Sequence, residues 1–236
     1  MKLEIKNLNK SYHEKEVLKN VNITFEEGKI YGLLGRNGSG KTTFFNCLNE
    51  DISINSGLFY LETEYGKNRL TCNDIGYVTS TPIVPEFLTG REFLKFYLDI
   101  NKDKVNETKN IEEYFNLVSL KKEDQDRLLK EYSTGMKNKI QMLINIISNP
   151  KILLLDEPLT SLDIVVQEDM KKILKRLKKD HIIIISTHIL ELATDLCDEI
   201  IVLNNKKLDC IEKKNLNTKK YKDNIIKMLK DEKNVE

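Results

Sequence analysis

Apolar and polar residues alternate over Lys2–Lys6 and again over Val21–Phe25, the period-two pattern of half-exposed antiparallel strands. Lys29–Leu34 is short and apolar and runs directly into a glycine-rich turn, after which Thr42–Asn49 is compatible with helix. Ser56–Leu70 reads as strand, punctuated by Gly57 and Gly66. Arg91–Ile100 places Phe93, Leu94, Phe96, Tyr97 and Ile100 at helical spacing behind a cap at Thr89 or Gly90, and Ile111–Val118 and Met136–Ile147 repeat that period. Between these helices Lys121–Lys130 is heavily charged and predicts a solvated face.

From Lys151 onward strands and helices alternate. Lys151–Leu155 is a continuous apolar run bounded by Pro150 and Pro158, Leu162–Lys179 an amphipathic helix, His181–Ser186 an apolar strand, Ile189–Leu196 a helix and Glu199–Leu203 a final strand. Strands buried on both faces and alternating with helices predict an α/β fold with a mostly parallel sheet core. The amino-terminal strands predict an antiparallel β-subdomain, and residues 88–148 an inserted α-helical subdomain. Asn204–Glu236 carries ten lysines against six acidic residues, the composition of a solvated helix or frayed tail, so the expected organisation is a domain over 1–205 and a charged tail over 206–236.

Composition narrows the function. The 236 residues hold 38 Lys+Arg and 37 Asp+Glu, a net charge of +1, which gives no overall electrostatic footprint for nucleic acid. No apolar run approaches the ~18 residues of a membrane helix, and the amino terminus lacks a signal-peptide apolar segment; the expectation is a cytoplasmic protein, with any membrane span supplied by another chain. Cys47, Cys72, Cys197 and Cys210 are scattered and form no C-x-x-C pair, which argues against zinc and redox sites and predicts buried thiols.

Gly35-Arg36-Asn37-Gly38-Ser39-Gly40-Lys41-Thr42 fits G-x-x-x-x-G-K-[ST] completely, with a strand before it and a helix after it. Such a loop turns successive backbone N–H groups around a phosphate without a side chain in the way, and the helix terminus adds positive potential. Lys41 is expected to reach the β- and γ-phosphates of a nucleotide and Thr42 to place its hydroxyl on Mg²⁺. Ile152–Leu155 ends in Asp156-Glu157-Pro158, which brings two carboxylates to the sheet edge where ligands bind in open α/β folds. Asp156 is expected to hold Mg²⁺, and Glu157 to polarise a water for attack on the γ-phosphate.

With these two motifs in place, Tyr132-Ser133-Thr134-Gly135-Met136-Lys137 resembles the signature motif of ATP-binding cassette (ABC) domains. The resemblance covers roughly residues 1–205 and implies a P-loop NTPase that binds and hydrolyses ATP with Mg²⁺. The segment departs from the usual L-S-G-G-Q but keeps Ser133 and Gly135, and its S-T-G-M variant suggests an exporter cassette of multidrug or peptide type. Two such domains pair head to tail in the family. The resemblance therefore implies that Ser133 and Gly135 contact ATP held by a second cassette. It places Asp163 of Ser161-Leu162-Asp163 at the dimer seam, His188 of Ile185-Ser186-Thr187-His188 on the γ-phosphate, Tyr12 (ahead of the first strand pair) on the adenine, and Thr43 with the loop. His13 and His181 have no such support.

Ile75-Gly76-Tyr77-Val78 resembles the strand leading to the family's Q-loop, but Thr79-Ser80 follow. Ser80 stands where a glutamine would reach Mg²⁺, and its shorter side chain makes direct coordination doubtful; a bridging water is the substitute. Pro82–Leu88, apolar and proline-containing, either packs the helical subdomain or contributes to a groove for a membrane subunit. The resemblance implies a multi-span permease partner and attachment to the inner face of the cell membrane. The alternatives are a soluble cassette acting on ribosomes or DNA, and a regulatory cassette. One cassette, and only 90 residues between Thr42 and Ser133, weigh against the first; intact Lys41, Asp156, Glu157 and His188 weigh against the second.

Overall fold

The computed structural model describes residues 1–102, 105, 109–160, 162–212 and 219–230. Its ten strands and eight helices run β1 (Lys2–Tyr12), β2 (Lys15–Glu26), β3 (Ile30–Leu34), α1 (Lys41–Leu48), β4 (Ser56–Thr63), β5 (Gly66–Arg69), β6 (Ile75–Val78), α2 (Gly90–Ile100), α3 (Ile111–Leu117), α4 (Lys122–Gln125), α5 (Thr134–Ser148), β7 (Ile152–Asp156), α6 (Ile164–Leu177), β8 (Ile182–Thr187), α7 (Leu190–Leu196), β9 (Glu199–Asn204), β10 (Lys207–Glu212) and α8 (Lys219–Lys230).

The strands form two sheets. An antiparallel one has the order β2-β1-β4-β5, and a six-stranded one the order β10-β9-β3-β8-β7-β6. β3, β6, β7, β8 and β9 are parallel, and β10 joins the edge antiparallel to β9. The apolar runs sit in the middle: every residue of β3, β7 and β8 is buried, as continuous aliphatic segments in a parallel sheet require.

Between the two sheets lies one core, in which α1 packs Phe44 and Phe45 against Leu3, Ile5 and Phe25 of the antiparallel sheet and Leu154 and Ile184 of the parallel one. Phe25 meets Phe44 at 6.5 Å and Phe45 meets Tyr77 edge to face at 6.0 Å, so the helix after the glycine loop is gripped by rings from β2 and β6. On the other side of the parallel sheet Leu153, Leu155, Ile183 and Ile185 face a second core with Leu94, Phe115, Leu143 and Leu174 from the helices. The helical subdomain is tied by Arg91, whose guanidinium reaches Asp126 and Glu112, each at 2.7 Å. Thr89 caps α2 and pairs reciprocally with Glu92, and Asn149, in the left-handed region at φ 48°, ends α5 before Pro150.

Four expectations change. The first two strands are longer than their alternating stretches: hydrogen bonding carries β1 to Tyr12 and β2 back to Lys15, through register shifts that interrupt the period-two pattern. Lys121–Lys130 is not only a solvated face, because Gln125 and Leu129 turn inward. Glu199–Leu203 is not the final strand: β10 follows, and α8 lays Ile225 against Leu34, Ile200 and Val202. Of the thiols, Cys47 and Cys197 are buried as expected, whereas Cys72 opens a turn and Cys210 points outward from edge strand β10, and both are exposed. Burial pushes the Cys47 thiol up to about 11.

Candidate functional site

The carboxyl ends of β3 and β7, one strand apart in the sheet, open on a cleft of about 470 Å³ that the β1–β2 hairpin borders. Tyr12, Lys15 and Val17 form its hairpin wall, the loop from Asn37 to Thr43 its floor, and Ser80, Asp156 and Glu157 its far wall. Its size suits a nucleotide-sized ligand.

The glycine loop has the backbone a phosphate cradle needs. Gly38 and Gly40 lie at φ 80° and 110°, and a Cβ at Gly40 would stand 2.7 Å from Val17 Cγ1, so neither conformation nor space admits a side chain there. Gly40 leaves the start of α1 without a side-chain cap, and the first-turn N–H groups are available to an anion. Ser39 Oγ is buried with no partner. An orphaned hydroxyl inside the loop is what an anionic oxygen would satisfy, and it fits a nucleotide phosphate here. Gly35, buried at the loop's start, accepts from the Lys41 ammonium at 2.9 Å, and the exposed Arg36 accepts from it through its carbonyl at 3.2 Å.

Two hard oxygen groups meet beside the loop. Thr42 Oγ1 donates to Asp156 Oδ2 at 2.8 Å, and Asp156 is buried. This pair fits Mg²⁺, which is held by one or two carboxylate or hydroxyl groups together with phosphates and water. Among the described residues no cluster of three His, Cys, Asp or Glu exists that would cage a metal by protein alone.

Glu157 follows in an uncommon conformation, φ 52°. Its carboxylate accepts from Thr160 Oγ1 at 2.7 Å, contacts His188 Nδ1 at 2.7 Å, and lies 3.6 Å from the Lys41 ammonium. Burial pushes this carboxyl up, but the hydrogen bonds of His188 and Thr160 and the charge of Lys41 outweigh it and hold the pKa below the usual glutamate value. The group stays ionised, as a base must.

Other expected residues fall in two places. Tyr12 is not ahead of the first strand pair but ends β1, opposite Lys15, because the hairpin turns only at His13-Glu14. One face of its ring is backed by the Lys10 ammonium at 4.6 Å. His181 is buried, with Nδ1 2.6 Å from the Pro150 carbonyl. Ser133, Gly135 and Asp163 lie away from the cleft. Ser133 caps α5, accepting from Met136 N–H at 3.2 Å, and Asp163 caps α6, accepting from Val165 and Val166 N–H at 3.0 Å each. A Cβ at Gly135 would approach Leu162 to 3.4 Å and Val166 to 3.5 Å, so the two helix starts adjoin. Ser161 lies outside the described residues.

Four residues at the site were not singled out by sequence reasoning. Lys15 and Val17 line the cleft from β2, and Thr160 holds Glu157. Ser186 is fully buried opposite Asp156, to which it donates; its Oγ also accepts from Glu157 N–H at 3.0 Å. The available signal was the first hydroxyl after four consecutive isoleucines on the neighbouring strand.

Comparison with known proteins identifies the family and the fold. The family model described as ABC transporter matches residues 18–160. An uncharacterized ABC transporter ATP-binding protein of Bacillus subtilis, YxlF, is 34% identical over 206 residues, covering 86% of this chain and 68% of that protein. A second from the same bacterium, YdbJ, is 33% identical over 85% of this chain and 66% of its own length. ABC transporter A family member 8 of Arabidopsis thaliana is 33% identical over 87% of this chain but only 24% of its length. Thus the chain spans about two thirds of the bacterial relatives and a quarter of the plant one. Among solved structures, a dimeric post-hydrolysis state of the cassette MJ0796 bound to ADP and Pi has a TM-score of 0.76 at 23% identity, covering 90% of this chain and 99% of that one. The cbiO1 protein of Clostridium perfringens, part of the ABC transporter complex cbiONQ, has a TM-score of 0.75 at 22% identity over 92% and 91%.

Proposed function

Because the chain belongs to the ABC transporter family of ATP-binding ATPase domains, we propose that it is the ATP-hydrolysing subunit of a membrane exporter and works as one of two cassettes paired head to tail. In this reading Tyr12 stacks on the adenine, Gly35–Gly40 and Thr43 wrap the phosphates, and Lys41 neutralises the β- and γ-phosphates. Thr42 and Asp156 hold Mg²⁺, with Ser80 reaching it only through water. Bound there, the ion supplies charge stabilisation at the phosphate oxygens. Glu157 takes a proton from the attacking water, and His188 orients both Glu157 and the γ-phosphate. Lys41 moves from its carbonyl partners to the phosphates, which loosens its hold on Glu157.

The observation that carries the reading is the separation of the two helix starts at Ser133 and Asp163 from the cleft. The cleft is lined by the hairpin, the glycine loop and the far wall, while a second set of capped helix termini is exposed, flanked by the exposed apolar side chains of Ile164 and Val165. A second copy, or a related cassette, turned head to tail would cover both. Two closed ATP sites then favour the closed pair, which supplies the differential affinity a conformational change requires. The exposed Ile83 and Phe87 support a docking groove in Pro82–Leu88 for a multi-span permease. No helix among the described residues is long and apolar enough to cross a membrane, so the proposed site of action is the cytoplasmic face of the membrane through that partner. S-T-G-M at the signature supports export.

The test is a pull-down from membranes of tagged Glu157→Gln protein with Mg-ATP, since loss of the base holds the closed pair. Recovery of a multi-span membrane protein is the expected result. Ribosomal proteins or nucleic acid without a membrane chain would replace the transporter reading by that of a soluble cassette.

A further inference from the structure

We propose that Ser186 is a positioning residue for both carboxylates of the site, fixing which oxygen of Asp156 faces the metal and holding the backbone from which Glu157 projects. This rests on the reading of Asp156 and Glu157 given above. Strand β8 supplies four isoleucines and then Ser186, in register with Asp156 of β7 and with no solvent exposure. A buried hydroxyl is tolerated where both its proton and a lone pair are used, and here both are. The proton goes to Asp156 Oδ1, and the oxygen accepts from Glu157 N–H at 3.0 Å. The Ser186 carbonyl takes a share of that same N–H at 3.2 Å.

Each bond has a separate consequence. The terminal torsion of an aspartate is broad and roughly two-fold, so an untethered carboxylate could present either oxygen. With Oδ1 held by Ser186, Oδ2 is the one turned to Thr42 Oγ1 at 2.8 Å, on the side where Mg²⁺ fits. Glu157, for its part, sits at φ 52°, a region that non-glycine residues keep only when surrounding contacts over-determine it. Its N–H, clamped between the hydroxyl and carbonyl of Ser186, is such a contact. The carboxylate is thereby aimed at Lys41, Thr160 and His188 rather than back along the strand. Ser186 does not touch the nucleotide; it acts through its two neighbours.

The experiment uses the full chain. Divalent-cation binding is read by Mn²⁺ electron paramagnetic resonance in the presence of a non-hydrolysable ATP analogue, and turnover by steady-state kinetics. Partners behind a metal ligand typically change metal affinity or activity about 10–100-fold. Ser186→Ala is therefore expected to weaken Mn²⁺ binding about tenfold and lower kcat by 10-fold or more. KM for ATP and analogue affinity in EDTA should stay within about twofold, because the phosphate loop is untouched. Ser186→Thr, which keeps the hydroxyl, is expected to restore both readouts. Ser186→Cys, isosteric but a weak donor, should behave as the alanine variant and serves if that one is poorly soluble. Wild-type metal binding and kcat in Ser186→Ala or Ser186→Cys, with only a lower melting temperature, would overturn the proposal. Asp156→Asn is measured alongside. Retention of its metal binding would overturn the reading of Asp156 itself, a different failure from an unaltered Ser186 variant.

Discussion

The Nδ1 atom of His188 lies 2.9 and 2.7 Å from the two carboxylate oxygens of Glu157, so a single imidazole nitrogen is shared between both oxygens of the proposed base. Burial raises the Glu157 pKa, and this contact, with Thr160 and Lys41, lowers it further than burial raises it, to below the ordinary 4.5. A carboxyl depressed in the folded state contributes stability above its unfolded pKa and loses it as pH falls through the folded one. The melting temperature of the wild type, relative to Glu157→Gln, is therefore expected to decline as pH drops below about 4.5. A constant difference between the two proteins from pH 6 to pH 3 would contradict the depressed value.

Lys41 holds the carbonyls of Gly35 and Arg36 while 3.6 Å from Glu157. Hydrogen bonds to charged groups are worth about 1.5–3 kcal/mol, so Lys41→Ala should weaken ATP binding by roughly 10- to 100-fold. Titration of a fluorescent ATP analogue reads this directly, and an unchanged Kd would remove Lys41 from the phosphate site.

Gly40 combines φ 110° with a Cβ position 2.7 Å from Val17 Cγ1. Gly40→Ala meets both a strained backbone and a clash, and should cost about 1–3 kcal/mol in urea unfolding, together with nucleotide affinity. Gly66 is the control. It too has positive φ, at 117°, but nothing stands within 4 Å of its Cβ position, and Gly66→Ala should destabilise while leaving ATP binding intact.

Tyr12 lines the cleft, and its ring carries the Lys10 ammonium 4.6 Å from the centroid. Removing a stacking ring from a base costs about 1–3 kcal/mol. Tyr12→Ala should raise the Kd for ATP accordingly while leaving that for inorganic tripolyphosphate unchanged, and calorimetry with both ligands separates base from phosphate contributions. Equal losses on the two ligands would mean that the hairpin, not the base contact, had been damaged.

Ser80 lines the cleft but carries a short side chain. Ser80→Gln lengthens the reach toward the metal, and it is expected to lower the Mg²⁺ concentration that half-saturates the ATPase and to increase partner stimulation. No change in either quantity would show that the position does not communicate with the metal.

The centre of the parallel sheet was legible because β7 and β8 are almost wholly aliphatic, β7 lies between Pro150 and Pro158, and β3 runs into the glycine loop. The glycine loop and the Asp156-Glu157 pair were legible because their chemistry is local in sequence. Tyr12 was misplaced by one element because β1 and β2 lose their alternation at register shifts between Ile5 and Ser11. β10 was missed because it is an edge strand that exposes Lys207 and Asp209, a composition shared with solvated tails. For Ser186 the only local mark is its place after four isoleucines, and its role exists only once β8 lies beside β7. Ser133 and Asp163 were singled out by resemblance to the family's motifs, whereas their capping of α5 and α6 and the closeness of the two helix starts emerge only from packing.

The central position of β3 sets a timetable for the chain. The strand that launches the phosphate loop pairs with Ile183–Thr187 on one side and Glu199–Val202 on the other, both made long after it during synthesis. Until those segments leave the ribosome, residues 30–34 have no strand beside them, and the loop has no fixed backbone from which to bind. Nucleotide competence therefore arrives late and all at once, and a nascent or truncated chain lacking β8 and β9 cannot hold ATP in an unfinished cassette.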